Sequence, residues 1–265
     1  MISAKIIAYS AYESKEIITF ELEYPRYIHA ELLTHRVFSR NAASSRAIPI
    51  AKLIEQVEEN TVMPIWTYNE AGMQGEIVAN GRDKHKANAI WLQGAKHAME
   101  CASALSAAGI HKQNANRVLE PFQHIKTILT AAQLSNFFAL RNHSDAQPEI
   151  RTLAREMLLE MKLATPTQLF MGDWHLPYVL STDIDTLTPA ECKRISSSCC
   201  AQVSYRRNDP SLQKADFIYD KLVNGKPAHY SPFEHQCTPN IKGETQKGNL
   251  YGFHQLRSDI EEGIY

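Results

Sequence analysis

Short runs of β-branched and aromatic residues predict a sheet near the N-terminus. Lys5 to Tyr9 and Glu16 to Leu22 carry such residues, which suit a pleated, half-buried surface. We expect both segments to be strands that pair in one sheet. Near the other end, Gly248 to Arg257 mixes glycine with aromatic residues. That composition is typical of a strand added at a sheet edge or of a loop that faces a substrate.

Helical periodicity begins at Ile50. From Ile50 to Glu59 apolar residues recur at intervals of three and four, which predicts a helix. Thr61 to Gly81 is expected to be mostly loop. Lys84 to Ala108 is rich in alanine and contains no proline, so we predict a long helix that stops at Gly109.

Two more helices are predicted in the middle of the chain. Thr130 to Gln133 resembles a capping box that opens a helix carrying Asn136 and Arg141, and Asp145 is expected to begin the next helix. An apolar stripe at helical spacing then stops before Pro166, so its methionines are interpreted as core residues. The stripe consists of Ile150, Leu153, Ala154, Met157, Leu158 and Met161.

Composition and charge narrow the class of protein. The chain has 265 residues and a formal net charge of -1, so no overall field attracts it to nucleic acid or to a membrane. No apolar run approaches the roughly 20 residues that a membrane span requires. We expect one domain over residues 1–265 and a cytoplasmic location. Because glycine-rich phosphate loops are missing from the sequence, a flavin or nucleotide would have to be held by side chains.

The cysteines and histidines predict neither a disulfide framework nor a metal site. The five cysteines include no Cys-x-x-Cys pair. Vicinal Cys199 and Cys200 could form a redox pair, but a buried strand start is the favoured interpretation. His85 and His97 on the long predicted helix have no partner at a metal-ligand spacing. No cysteine is assigned a catalytic role.

One short basic loop carries candidate chemistry. Thr34-His35-Arg36, seven residues, and then Ser44-Ser45-Arg46 combine cationic and hydroxyl groups without an acidic residue. Arginine pairs with phosphate in a bidentate manner, and small hydroxyl residues add hydrogen bonds. The loop is therefore either an anion-binding site or a solvated basic turn.

The same loop resembles the Arg-His-Arg-(seven)-Ser signature of the flavin-dependent thymidylate synthases, with Asn41 and Arg46 also in register. Thr34 stands in place of the first Arg, and Ala42 in place of the usual Glu. Glu31 replaces a Gln just upstream. Four further blocks resemble elements of that family: Asn116 to Pro121, Asn136 to Arg141 with Ala146 to Arg151, Cys200 to Tyr205, and His229 to His235.

The order of these blocks is unusual for the family. The last two normally precede the basic loop, whereas here they follow it. We interpret the chain as a family member whose segments are circularly permuted. The resemblance implies an α+β fold, with an antiparallel-rich sheet packed against long helices.

The resemblance also implies roles by matched position. The dUMP-binding residues would be Ser44, Arg46, Arg117 and Arg141, with Arg141 and Ser44 catalytic. The FAD-binding residues would be His35, Arg36, Asn41, Asn136, Ser204, His229, Ser231 and Glu234. NADPH would reduce the flavin, and methylenetetrahydrofolate would supply the carbon that becomes the methyl group of dTMP. The family further implies a homotetramer whose active sites combine several subunits.

Two alternatives stay open, and the first of them follows from the substitutions at Thr34 and Ala42. The same scaffold could hydroxymethylate dUMP or act on a cytosine nucleotide. The chain could also be a catalytically silent flavin- or nucleotide-binding module. Nucleic-acid binding is disfavoured, since the basic residues are scattered and balanced by acidic ones.

Overall fold

A computed structural model describes residues 1–72, 75, 77–204, 207–240 and 245–264. Tyr205, the last residue of the block that begins at Cys200, lies outside the described residues. The elements of the first half are β1 (Ser3–Tyr12), β2 (Lys15–Pro25), α1 (His29–Leu33), β3 (Ser39–Ala42), α2 (Ile50–Glu59), α3 (Gly81–Ala107), α4 (Lys112–Ala115) and β4 (His124–Ala131). The second half contains α5 (Ser135–Arg141), α6 (Pro148–Leu163), β5 (Thr167–Gln168), α7 (Ser181–Ile184), α8 (Pro189–Ala201), α9 (Leu212–Val223), β6 (Cys237–Pro239), β7 (Phe253–Gln255) and α10 (Leu256–Glu261).

The main sheet has five strands in the order β3-β4-β2-β1-β5. β1 and β2 form an antiparallel hairpin, and β4 pairs antiparallel with both β2 and β3. The two-residue β5 pairs parallel with β1. The predicted pairing of Lys5 to Tyr9 with Glu16 to Leu22 in one sheet is confirmed.

The two faces of the central strands differ in chemistry. Ile18, Phe20 and Leu22 of β2 alternate along one face and pack with apolar residues of β4, α5 and α6. On the opposite face Thr19 lies directly across from Thr130 of β4, and both are fully buried. Ser39 of β3 lies across from Thr130. One face is therefore an apolar core, and the other is a buried polar surface.

A second apolar cluster lies beside the sheet. Residues of α2 and α3 pack there against a 3-10 helix that runs from Asn116 to Phe122. α2 spans the predicted residues, and α3 begins at Gly81 and ends at Ala107, close to the predicted Lys84 to Ala108. Gly109, with a φ of 76°, follows the helix and adopts the left-handed conformation that glycine tolerates best.

The last third of the chain covers the polar face. α8, α9 and the 3-10 helix Ser231–Glu234 pack together, and β6 pairs antiparallel with β7 in a separate two-stranded sheet. Gly248 to Arg257 therefore contributes a strand, although this strand does not extend the main sheet. Within the described part of the chain, no helix combines the length and the apolar character that crossing a bilayer requires.

Three details of the sequence predictions were wrong. Thr130 does not begin a capping box: it belongs to β4, and α5 starts at Ser135 without a side-chain cap. The next helix begins at Pro148, not at Asp145, because proline suits the first helical position. Cys199 and Cys200 are buried as expected, but they lie in α8 and not in a strand.

Two leucines of α6 differ in burial, which predicts that replacing them will affect stability to different extents. Leu153 is fully buried, whereas Leu159 on the same helix is 52% exposed. We expect Leu153→Ala to lower the free energy of unfolding by about 2–5 kcal/mol, because it leaves a cavity, and Leu159→Ala to change it by less than about 0.5 kcal/mol. Urea denaturation of both variants measures the difference, and equal effects would contradict the packing described here.

Candidate active site

The basic loop follows α1 directly and is held in a tight turn. The backbone N–H groups of Thr34 and His35 donate to the carbonyl groups of Glu31 and Leu32 at 3.2 Å. Arg40 of β3 reaches back, and its Nη1 donates to the carbonyl oxygen of Leu33 at 2.9 Å. The turn is therefore fixed from both ends.

Arg141, the last residue of α5, contacts this loop and the preceding α1 through all three guanidinium nitrogens. Nε donates to Nε2 of His35 at 3.0 Å, and Nη2 donates to Oγ1 of Thr34 at 3.2 Å. Nη1 forms an ion pair with Oε2 of Glu31 at 3.2 Å. Because each nitrogen has its own partner, the plane of the guanidinium is fixed. The contact joins two sequence blocks that are more than 100 residues apart.

His35 is held as a neutral imidazole. Its ring stacks on Phe38 and meets the edge of Phe137, with ring centroids 5.6 Å and 5.0 Å apart. Burial lowers the pKa of His35, and the nearby Arg141 and Arg40 lower it further. A neutral ring leaves Nε2 free to accept the hydrogen bond from Arg141. Burial also raises the pKa of Glu31, while Arg141 opposes that shift.

Two predicted residues on and after β3 contact the end of α8. The backbone N–H of Ser44 donates to Oγ of Ser204 at 3.0 Å. Nδ2 of Asn41 donates to the carbonyl oxygen of Cys200 at 3.3 Å. The block that begins at Cys200 therefore lies against the basic loop, as a rearranged order of the blocks requires.

Glu234 lies at the opposite end of β3, in the 3-10 helix that packs against this strand. Its carboxylate forms an ion pair with Arg257. Gln255 donates to both the carbonyl oxygen of Glu234, at 2.8 Å, and Oγ of Ser39, at 3.1 Å. A cavity of about 490 Å³ opens here between Glu234, Lys247, Asn249, Gln255, Arg257 and Glu262.

Arg117 belongs to a third cluster, which is centred on Glu120. Oε1 of Glu120 accepts from Arg117 at 2.8 Å, from Arg26 at 3.1 Å and from Oγ of Ser45 at 3.3 Å. The side chain of Arg117 is 56% exposed. Nδ2 of Asn116 donates to the carbonyl oxygen of Ser45 at 2.7 Å. The cluster thus attaches the end of the basic loop to the 3-10 helix that carries Arg117.

The remaining predicted site residues are exposed side chains. The structure places them on the loop after α1, after β3, on α5, just before the 3-10 helix Ser231–Glu234 and at its first residue. They are Arg36, Arg46, Asn136, His229 and Ser231. In one chain, therefore, the structure joins Arg141 to His35 and Ser44 to Ser204, while these five face outward.

The two residues of the basic loop that differ from the family motif, Thr34 and Ala42, both fit their surroundings. Thr34 accepts a hydrogen bond from Arg141, and its own hydroxyl donates to the carbonyl oxygen of Glu31 at 2.7 Å. An arginine at this position would bring a second cation to the guanidinium of Arg141. Ala42 is half-buried and packs against the apolar core, where a carboxylate would be desolvated.

Sequence reasoning missed Glu120, Arg26, Arg40 and Arg257 as groups that fix the site residues. Arg26 and Arg257 pair with carboxylates that lie far away in the chain, so only folding brings these partners together. Arg40 bonds to carbonyl groups within seven residues, and Glu120 lies three residues from Arg117, a spacing that the sequence does show. A further cavity of about 450 Å³ was also missed. It is lined by Tyr27, Trp66, Trp91 and residues 147–149, the last from the Ala146 to Arg151 block, but by none of the predicted site residues.

The buried cysteines are poor nucleophiles. Burial raises the pKa of the Cys199 thiol to about 12 and raises the pKa values of Cys200 and Cys237 well above the ordinary value. Because the thiolate is the reactive form, these side chains are held in their unreactive state. Across the described ranges, no group of three or more His, Cys, Asp and Glu side chains is arranged to hold a metal ion.

The solved structures that are similar to this chain include two complexes of PolB, a UMP/dUMP methylase from Streptomyces cacaoi. The complex with 5-Br UMP has 17% sequence identity and a TM-score of 0.50, covering 62% of this chain and 89% of that chain. The complex with 5-Br dUMP has 20% identity and a TM-score of 0.45, covering 56% and 66%. At 17% identity the likeness to the first complex concerns the fold alone.

Sequence comparison identifies the family. No curated protein sequence is significantly similar to this one. A family model described as thymidylate synthase complementing protein matches residues 10–167, which include the basic loop and Arg141. Because the match extends over more than half of the chain, the protein belongs to the thymidylate synthase complementing protein family, the flavin-dependent thymidylate synthases.

Proposed function

We propose that the protein transfers a one-carbon unit from methylenetetrahydrofolate to C5 of dUMP and yields dTMP, with FAD as cofactor and NADPH as reductant. The observation that carries the proposal is the contact of Arg141 with His35 and Thr34. It joins the two blocks on which the family resemblance chiefly rests. The UMP/dUMP methylase fold of PolB agrees with a uracil nucleotide as substrate.

The described side chains offer a donor set that fits these ligands. Arg36, Arg46 and Arg117 present exposed or largely exposed guanidinium groups, which pair well with phosphate. Asn136, His229 and Ser231 are exposed and offer amide, imidazole and hydroxyl groups. The residues proposed to hold FAD are His35, Arg36, Asn41, Asn136, Ser204, His229, Ser231 and Glu234. The residues proposed to hold dUMP are Ser44, Arg46, Arg117 and Arg141. When bound, FAD supplies the hydride that completes the methyl group.

Arg141 is the proposed electrostatic catalyst. Attack by C5 requires electron density to build up on the uracil ring, and a fixed cation beside the carbonyl stabilises that density where water is excluded. Glu31, Thr34 and His35 orient the guanidinium before the substrate arrives. Ser44 is proposed to donate a hydrogen bond to the nucleotide, with its backbone fixed by Ser204.

The assembly is proposed to be a cytoplasmic homotetramer of single-domain chains. Leu33, Val37 and Leu140 are 43%, 40% and 54% exposed, and they flank the exposed Arg36 and the Arg141 contact in sequence. Apolar side chains beside a polar site are typical of a surface that another subunit covers. A second subunit here would complete the site and exclude water from it.

The alternative reaction, hydroxymethylation of dUMP or of a cytosine nucleotide, draws support from Thr34 and Ala42. These residues supply neither the cation nor the carboxylate of the family motif. The silent binding module is disfavoured, because the chain retains Ser44, Arg46, Arg117 and Arg141.

Replacing Arg141 tests the catalytic proposal. We expect Arg141→Ala to lower the rate of dTMP formation by at least about 100-fold, since it removes the cation that stabilises the developing charge. The flavin that copurifies with the protein, measured by absorbance, should be retained. Arg155→Ala is the matched control, because Arg155 is an exposed arginine on the neighbouring α6. Turnover of Arg141→Ala at the wild-type rate would refute the assignment.

Replacing Thr34 tests the orientation of Arg141. Thr34→Val keeps the shape of the side chain and removes the hydroxyl, so we expect kcat to fall about tenfold, the effect of one hydrogen bond to a charged group. Thr34→Ser retains a hydroxyl and should keep most of the activity. Equal activity of the Val and Ser variants would show that the hydroxyl has no role in turnover.

The mass of the nucleotide product distinguishes the candidate reactions. Purified protein is incubated with dUMP, methylenetetrahydrofolate, FAD and NADPH, and the product is analysed by mass spectrometry. We expect a methyl gain that gives dTMP. A hydroxymethyl product would support the alternative reaction. Unchanged dUMP with bound FAD would indicate another nucleotide substrate or a silent binding module.

A further inference from the structure

A continuous chain of hydrogen bonds crosses the buried polar face of the main sheet. Oγ of Ser10 lies 2.9 Å from Nδ1 of His175, and Nε2 of His175 lies 2.8 Å from Oγ1 of Thr19. Thr19 and Thr130 share a hydrogen bond of 2.7 Å between their hydroxyl groups. Oγ1 of Thr130 lies 2.8 Å from Nδ1 of His235. The chain thus joins β1, β2 and β4 to two histidines from the C-terminal third.

The five side chains are sealed from solvent almost completely. Ser10 is 6% exposed, His175 is 1% exposed, and the other three are fully buried. Burial lowers the pKa of both histidines to about 3, with a contribution at His175 from His235. Both rings are therefore neutral at physiological pH, and each carries one N–H and one lone pair. At the far end, Nε2 of His235 is buried and has no hydrogen-bond partner among the described residues.

Each hydroxyl has one proton, so the chain has two complete arrangements. In the first, His235 donates from Nδ1 to Thr130, Thr130 to Thr19, Thr19 to Nε2 of His175, and His175 from Nδ1 to Ser10. In the second, every donor and acceptor is exchanged, and both rings carry their proton on Nε2. Both arrangements hold five protons, and both are neutral.

Mixed arrangements are disfavoured. If both rings accepted from the threonines, the two threonine oxygens would face each other at 2.7 Å without a proton between them. If both rings donated to the threonines, one threonine proton would have no acceptor within the chain. Either defect leaves a buried polar group without a hydrogen-bond partner, which is unfavourable. The two rings should therefore adopt the same tautomer.

We propose that the chain from Ser10 to His235 is a tautomer relay, in which the group that meets Nε2 of His235 sets the tautomer of His175 and the direction of the Ser10 hydroxyl. A carbonyl or carboxylate oxygen at Nε2 selects the second arrangement, and an N–H or O–H donor selects the first. Conversion of the second arrangement into the first releases the Nε2 proton of His235 to water or to the bound group. One proton enters from water through Ser10, so the number of protons on the chain is unchanged.

The relay has consequences for the candidate site but does not depend on the proposed reaction. His235 follows Glu234 directly, and the polar face that the relay crosses also carries Ser39 and Asn41 of β3. Ser10 lies at the other end, on β1. His175 and both threonines are thus proposed as positioning residues, which act through His235.

Nitrogen NMR tests the relay in the intact protein. Magic-angle-spinning ¹⁵N spectra of histidine-labelled protein at neutral pH distinguish protonated from unprotonated ring nitrogens, and His175→Gln and His235→Gln assign the two rings. We expect both rings to be neutral and to carry their protons on the same ring position. Opposite tautomers, or a doubly protonated ring, would overturn the proposal without the need for any variant to be active.

A matched pair of variants tests the centre of the relay. Thr130→Val keeps the shape and removes the shared hydroxyl, so the tautomers should become unlinked and give mixed signals at His175 or His235. Thr127→Val is the control, because Thr127 is a fully buried threonine of the same strand whose hydroxyl bonds to Tyr24 instead. Matching tautomers in folded Thr130→Val, or unlinked tautomers in Thr127→Val, would contradict the relay.

Discussion

The buried polar face of the main sheet is the constraint on which the rest of the structure depends. A hydroxyl, amide or imidazole that loses water must find a partner, and each failure costs about 1–3 kcal/mol. Thr19, Thr130, Ser39 and Asn41 meet this requirement through side chains and carbonyl groups that belong almost entirely to residues 175–255. The C-terminal third is thereby fixed in register on the sheet. Ser204 and Glu234 take their places beside β3 as a result.

The packing on the apolar face of the sheet positions Arg141. Phe137 is buried with its ring against both His35 and Phe38, and one turn later along α5 the chain reaches Arg141. The packing of α5 and α6 on β2 and β4 thus places the Arg141 guanidinium within hydrogen-bond distance of Glu31, Thr34 and His35. The candidate site lies where elements held by apolar contacts meet elements held by hydrogen bonds.

Local patterns in the sequence predicted the elements better than the contacts between them. Ile50 to Glu59 has a clear apolar period, and the helix found there has the predicted bounds. Thr130 was misassigned because a capping-box pattern says nothing about the partners that hold a threonine in a strand. Cys199 and Cys200 were misassigned because small residues favour neither a helix nor a strand strongly. Thr188 and Glu191 form a capping box at the start of that helix, a signal that was available in the sequence.

For the site residues too, the sequence indicated the individual residues but not the contacts between them. Family resemblance drew attention to Arg141 and His35, but their mutual contact and the role of Thr34 emerge only from the fold. The ion pair of Arg26 with Glu120 joins residues that are distant in the chain, and no charge pattern specifies such a pair in advance.

The sheet ends in a strand of four residues on one side and of two residues on the other. Free strand edges carry unpaired N–H and C=O groups that can recruit a strand from another molecule and begin aggregation. The central strand β2 is flanked by β1 and β4 along its length, whereas β5 covers only Ser10 and Ala11 of β1, so among the described residues no strand lies beside the rest of the outer edge of β1. Along that edge the backbone N–H of Ile6 donates to the carboxylate of Glu160 on α6 at 3.2 Å, so a side chain occupies a donor that a strand from another molecule would need.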